Sequence, residues 1–172
     1  MKVLFIISSS DTAFWLSEVT HPYWHFIERG IQVDFASPEG GKVVYDPYSD
    51  PYFKDSTESE DLVSKGFLSD KELLAKLQNT LVLKDVDLSQ YDAVHVAGGR
   101  GATFGLYPNA DVAKALEYFW AKDKVVWIDT TSPHTARAMV IICSSSPIMA
   151  PIRISLIAWP AMTPRVSGSG GR

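Results

Sequence analysis

Four places in the chain hold residue types that do chemistry. Glu18, His21 and His25 are spaced so that a helix would carry them on one face. One carboxylate and two imidazoles so arranged are a set that zinc accepts, although ordinary helix packing with a solvated carboxylate is the plainer reading and the one taken here. Gly98-Gly99-Arg100-Gly101 follows an apolar stretch. Glycines there let the backbone approach a bound group closely, or simply make a tight turn. Asp129-Thr130-Thr131-Ser132-Pro133-His134 gathers a carboxylate, hydroxyls and an imidazole. Thr130 and Thr131 suit a polar pocket, but an unassisted threonine hydroxyl is a poor nucleophile and no activating base adjoins it. Asp129 and His134 could form a dyad with Thr130 or Ser132, against the plainer reading of a helix N-cap and surface residues. Cys143, the sole cysteine, closes the apolar run Met139–Ile142 and precedes Ser144. A strand followed by Cys-Ser imitates a nucleophile elbow, whereas a lone cysteine after Ile-Ile is ordinarily buried as a small hydrophobe.

The elements that position these residues follow from hydrophobic periodicity. Residues 3–8 read as a buried strand, and residues 14–29 as a helix with Leu16, Val19, Tyr23, Phe26 and Ile27 on one face. Gly30 stops that helix, and Pro22 inside it predicts a kink or a late start. A second strand spans 32–36, and a loop with Tyr45, Tyr48, Tyr52 and Phe53 spans 37–60, fit to wall a pocket or an interface. Short helical pieces are expected at 61–65 and 70–77, a third strand at 92–97, a helix at 110–122 and a fourth strand at 124–128. Strands alternating with helices imply βαβ units and a parallel sheet covered on both faces. Chemistry in such sheets gathers beyond the carboxyl ends of the strands, where the loops after Ile7, Ala97 and Ile128 should meet.

Composition bounds the function. The 172 residues are 46% hydrophobic and 21% charged, enough for one domain with a core. A net charge of −4 without a basic run argues against nucleic acid and an anionic membrane surface as partners. The first apolar run is too short for a signal peptide or membrane span, and one cysteine makes no internal disulfide, so cytoplasmic localisation is expected.

The charge pattern breaks near residue 130. All 20 acidic residues lie at or before Asp129, leaving residues 1–129 at net −8, whereas the charges of 130–172 are four arginines. Half of the 10 prolines fall in that tail, which ends Ser167-Gly168-Ser169-Gly170-Gly171-Arg172. We read two units, a domain over 1–129 and an atypical tail over 130–172. The tail is either a proline-rich arm packed on the domain or foreign to it.

Several segments together resemble the ThiJ/PfpI (class I glutamine amidotransferase-like) superfamily, nearest its heat-shock chaperone and glutathione-independent glyoxalase III branch. They are Phe14-Trp15-Leu16-Ser17-Glu18-Val19-Thr20-His21-Pro22-Tyr23, Val33-Asp34-Phe35-Ala36-Ser37-Pro38-Glu39-Gly40-Gly41, Tyr91 to Gly101, and Lys124-Val125-Val126. The resemblance implies an α/β, flavodoxin-like three-layer sandwich with a mainly parallel sheet, truncated or altered at its C-terminus. It implies a pocket in which Glu18 tunes or shuttles a proton and Gly98, Gly99 and Arg100 bind substrate through their turn. The family elbow reads roughly Ala-Ile-Cys-His-Gly-Pro. Here Ile128-Asp129-Thr130-Thr131-Ser132-Pro133 stands in register, with Thr130 at the cysteine position and Thr131 at the histidine position. The implied reaction converts methylglyoxal-type 2-oxoaldehydes to 2-hydroxy acids, or deglycates proteins, with no cofactor or metal. It is expected to be impaired here; the alternative is a non-enzymatic, chaperone-like or regulatory binding protein. Expected partners are a small 2-oxoaldehyde or glycated substrate, unfolded clients, and a second copy in a homodimer.

Overall fold

The computed structural model describes residues 1–11 and 13–129, together with the backbone of two strands at 137–141 and 154–158. The strands are β1 (Lys2–Ile6), β2 (Gln32–Ser37), β3 (Leu81–Val82), β4 (Ala93–Val96), β5 (Val125–Ile128), β6 (Arg137–Ile141) and β7 (Ile154–Ala158). The helices are α1 (Ser17–Ile27), α2 (Leu62–Ser69), α3 (Lys71–Gln78) and α4 (Ala110–Ala121). The sheet runs β3-β2-β1-β4-β5-β6-β7. The first five strands in that order are parallel, β6 pairs antiparallel with β5, and β7 pairs antiparallel with β6.

Strand β1 shows why both faces are covered. Its side chains alternate between faces, so Val3 and Phe5 join one buried cluster and Leu4 and Ile6 the other. The first cluster takes in Val19 and Tyr23 of α1, Phe67 of α2 and Leu73 and Leu77 of α3. The second takes in Val112, Ala115 and Phe119 of α4. The chain leaves β1 through α1 toward β2, and leaves β4 through α4 toward β5 on the opposite side of the sheet. The order therefore reverses between β1 and β4, and it is beyond the carboxyl ends at such a reversal that ligands bind in open α/β sheets.

Three sequence expectations shift. Helix α1 begins at Ser17 rather than near Phe14. Phe14 is instead tied to the 43–46 segment: its N–H donates to Val44 O at 3.1 Å and its carbonyl accepts from Asp46 N at 2.8 Å. The 37–60 loop contains a 3-10 turn at Pro47–Ser49, in which the Ser49 hydroxyl accepts from Leu16 N and seats the start of α1. The tail, read from sequence as either a proline-rich arm or a segment foreign to the domain, contributes strands β6 and β7. Too few residues separate β5 from β6 for the helical crossover that a parallel neighbour requires, so β6 returns antiparallel.

Candidate functional site

The site begins with a proline. Pro22 lies inside α1, and its ring nitrogen cannot donate to the carbonyl four residues earlier, that of Glu18. His95 takes that acceptor from β4: its Nε2 lies 2.9 Å from Glu18 O. This bond places the ring proton on Nε2. The ring is 1% exposed, and burial lowers its pKa to about 4, so His95 is neutral near pH 7. Register places Phe5, His95 and Trp127 side by side on the α1 face. Their rings pack at 4.4 Å and 4.9 Å between centroids.

The Glu18 side chain projects to the turn after β4. A Cβ built on Gly98 would lie 2.7 Å from Glu18 Oε2 and 2.9 Å from the backbone oxygen of Asp129. Only glycine lets this carboxyl and the end of β5 come so near the turn. Burial, aided by the Asp129 charge, raises the Glu18 pKa to about 8, while the Gly98 N–H opposes the shift. Glu18 Oε2 is buried and has no hydrogen-bond partner among the described residues. Burial likewise lifts Asp129 to about 7 against a hydrogen bond from the Trp127 indole, 2.9 Å from Oδ1. Asp129 Oδ2 stands 3.6 Å from His95 Nε2; with the ring neutral, this is a polar contact rather than an ion pair.

The turn itself is held by the loop after β1. Gly101 N–H donates to Ala13 O at 2.6 Å, and the Ser8 hydroxyl donates to Gly101 O at 2.8 Å. Of the turn's N–H groups, that of Gly101 is committed to Ala13. Those of Gly99 and Arg100 have no acceptor among the described residues.

Of the residues singled out from sequence, Glu18, Gly98 and Gly99 come together beside Asp129. Arg100 belongs to the same turn, but its guanidinium faces Asp46 at 2.9 Å and its side chain is 70% exposed. Thr130, Thr131, Ser132, His134 and Cys143 lie outside the described residues. His21, one of the three residues whose spacing zinc would accept, has its Nε2 3.0 Å from both oxygens of Asp61. Among the described residues no group of three ligands could hold a metal. Reasoning from sequence gave no role to His95, and considered Asp129 only with Thr130 or Ser132. A signal existed for His95: a lone imidazole in an apolar strand, and a proline one helical turn after the glutamate.

Asp61 caps α2, accepting from Val63 N at 3.0 Å and Ser64 N at 3.2 Å. Burial pulls its pKa up, but hydrogen bonds from His21 and Ser64 and the His21 charge prevail and hold it at about 2. We expect Asp61→Ala to cost about 1–2 kcal/mol by urea unfolding near neutral pH. A carboxyl with a lowered folded pKa stabilises above its unfolded value of 3.8 and ceases to do so as pH falls through about 2. The difference from wild type should therefore shrink across that window.

Comparison with known proteins now has a geometry to be set against. The chain superposes on the Francisella tularensis rapid encystment protein of 24 kDa with a TM-score of 0.65 at 32% identity, over 74% of this chain and 57% of that one. It superposes on glyoxalase III from Candida albicans with a TM-score of 0.60 at 27% identity, over 74% and 56% of the two chains. The chain has a ThiJ/PfpI-like fold. Within that fold, the protein/nucleic acid deglycase HchA of Pseudomonas aeruginosa is 28% identical over 109 residues, 63% of this chain and 36% of the relative. The chain thus spans about a third of its curated relatives' length and little more than half of these two solved chains. No family model matches it. No helix among the described residues is long and apolar enough to cross a membrane.

Proposed function

We propose that this is a protein of the glutathione-independent glyoxalase and deglycase type whose pocket lacks the thiol, so that 2-oxoaldehyde turnover is very slow or absent. The observation that carries the reading is the buried Glu18 carboxyl against the Gly98 turn, beside a β5 end that runs into Thr130-Thr131 instead of Cys-His. A 2-oxoaldehyde carbonyl would take the Gly99 and Arg100 N–H groups, with Glu18 as proton donor or acceptor. The covalent addition that a thiolate performs has no counterpart in a threonine without a base. In sequence, Cys143 lies too far beyond Val126 to match the family's elbow register.

The test is methylglyoxal conversion to lactate by wild type, Glu18→Gln and Cys143→Ser. We expect wild type to convert it no faster than heat-denatured protein, with both variants alike. Fast turnover that Cys143→Ser abolishes would overturn the assignment of the site. Assembly as a homodimer belongs to the same reading and is measured by sedimentation.

A second reading, chaperone-like binding of unfolded clients, is favoured by exposed apolar side chains: Leu62 at 76%, Tyr107 at 76% and Phe104 at 70%. Its measure is suppression of client aggregation. No protection at equimolar protein would count against it.

A further inference from the structure

The pocket contains a second carboxyl that the ThiJ/PfpI resemblance does not supply. The register puts an apolar residue of the family elbow where this chain has Asp129. Asp129 N–H donates to Val96 O at 3.0 Å, extending the β4–β5 ladder past Ile128 and fixing the backbone beside Gly98. Its Oδ1 accepts from the Trp127 indole at 2.9 Å, and its Oδ2 lies 3.6 Å from His95 Nε2. The same His95 nitrogen donates its proton to the Glu18 carbonyl, so both acids border one ring.

Among the described residues no cation balances the two acids. Facing them are neutral His95 from β4, the Trp127 indole from β5 and the Gly98 N–H from the turn. Arg100 is turned to Asp46. Among the described residues no lysine or arginine forms an ion pair with Glu18 or Asp129. Two buried carboxyls without a cation do not both ionise readily; one retains a proton. Asp129 has a donor on Oδ1, which favours its charged form. Glu18, whose carboxyl the Gly98 N–H also faces, keeps a buried Oε2 without a donor among the described residues, which favours its protonated form.

We propose that Asp129 is a positioning residue for Glu18: its carboxylate keeps the pair's proton on Glu18, which makes Glu18 a hydrogen-bond donor toward a bound carbonyl oxygen at neutral pH. The direction of both acidities, raised by burial, agrees with this. The proposal rests on the reading of Glu18 as the pocket's proton carrier, but its test needs no substrate, so its failure and a failure of that reading are separable.

The experiment is a 13C NMR titration of the side-chain carboxyls in the full chain. In wild type, Glu18 should remain protonated at pH 7, and each of the two resonances should show two inflections because each senses the other's ionisation. In Asp129→Asn, which keeps an acceptor for the Trp127 indole, the Glu18 midpoint should move down by about one pH unit. The indole N–H cross-peak should stay in place, and Asp129→Glu should restore the wild-type midpoint. An unmoved Glu18 midpoint in folded Asp129→Asn overturns the proposal. So does a wild-type Glu18 that titrates as an ordinary carboxylate or shows a single inflection, a result that requires no variant to fold.

Discussion

Gly99→Ala is expected to destabilise the fold by at least about 3 kcal/mol, because strain and a clash with rigid backbone act together. Gly99 sits at φ +88°, outside the range that side chains with a Cβ readily adopt. A Cβ there would lie 2.5 Å from Trp15 N and 2.9 Å from Phe14 C. These are backbone atoms of the segment leading into α1, and Phe14 is already hydrogen-bonded on both sides to the 44–46 strip. Relief therefore requires moving that segment and, with it, the helix that carries Glu18. Gly66→Ala is the control. Gly66 lies in α2, nothing stands within 4 Å of its added Cβ, and its φ lies outside the left-handed region. Replacing a helical glycine in open space should stabilise by about 0.5–1 kcal/mol. Urea unfolding of both variants checks the pair. Two similar values would mean that the turn does not pack on Phe14 and Trp15 as described.

The contrast between these glycines also marks how far the sequence could be read. The apolar runs of β1 and β4, the alternation in β2, the helical face of α4 and the Gly-Gly turn were all legible, because each is a local pattern. The parallel sheet and the meeting of the loops after β1, β4 and β5 followed from βαβ order, whereas the place of Glu18 beside them was implied by the ThiJ/PfpI resemblance. What escaped is long-range or compensatory. β3 has two residues and no pattern to find. The start of α1 moved because Phe14 is claimed by a segment thirty residues away, and His21 is claimed by Asp61, forty residues away. Pro22 was legible as a disturbance, but the partner that takes the freed carbonyl, His95, is 77 positions from Glu18 and becomes apparent only once β4 lies under α1. Asp129 was visible as a residue but not as the neighbour of Glu18, since its placement depends on Gly98 and the β4–β5 ladder together.

That arrangement ties stability to pH, and the sign is opposite to that of Asp61. A carboxyl whose folded pKa is raised binds its proton more tightly in the native state than in the unfolded chain. Its contribution is fully present below the unfolded pKa and is lost as pH rises through the folded one. For Glu18 the window runs from 4.5 to about 8, and for Asp129 from 3.8 to about 7. One pKa unit corresponds to about 1.4 kcal/mol, so ionising Glu18 alone should cost on the order of 4 kcal/mol between pH 5 and pH 9, a large share of a typical domain's stability. Glu18→Gln stays neutral across the range and keeps an oxygen for the Gly98 N–H. It should lie within about 1 kcal/mol of wild type at pH 5 and exceed it by several kcal/mol at pH 9. Urea midpoints at the two pH values measure this. If Glu18→Gln leaves the pH 9 midpoint unchanged, the carboxyl reaches water in the folded protein. A solvated Glu18 would neither hold its proton at neutral pH nor need Asp129 to keep it there, and the candidate site would reduce to a tight turn beside a helix.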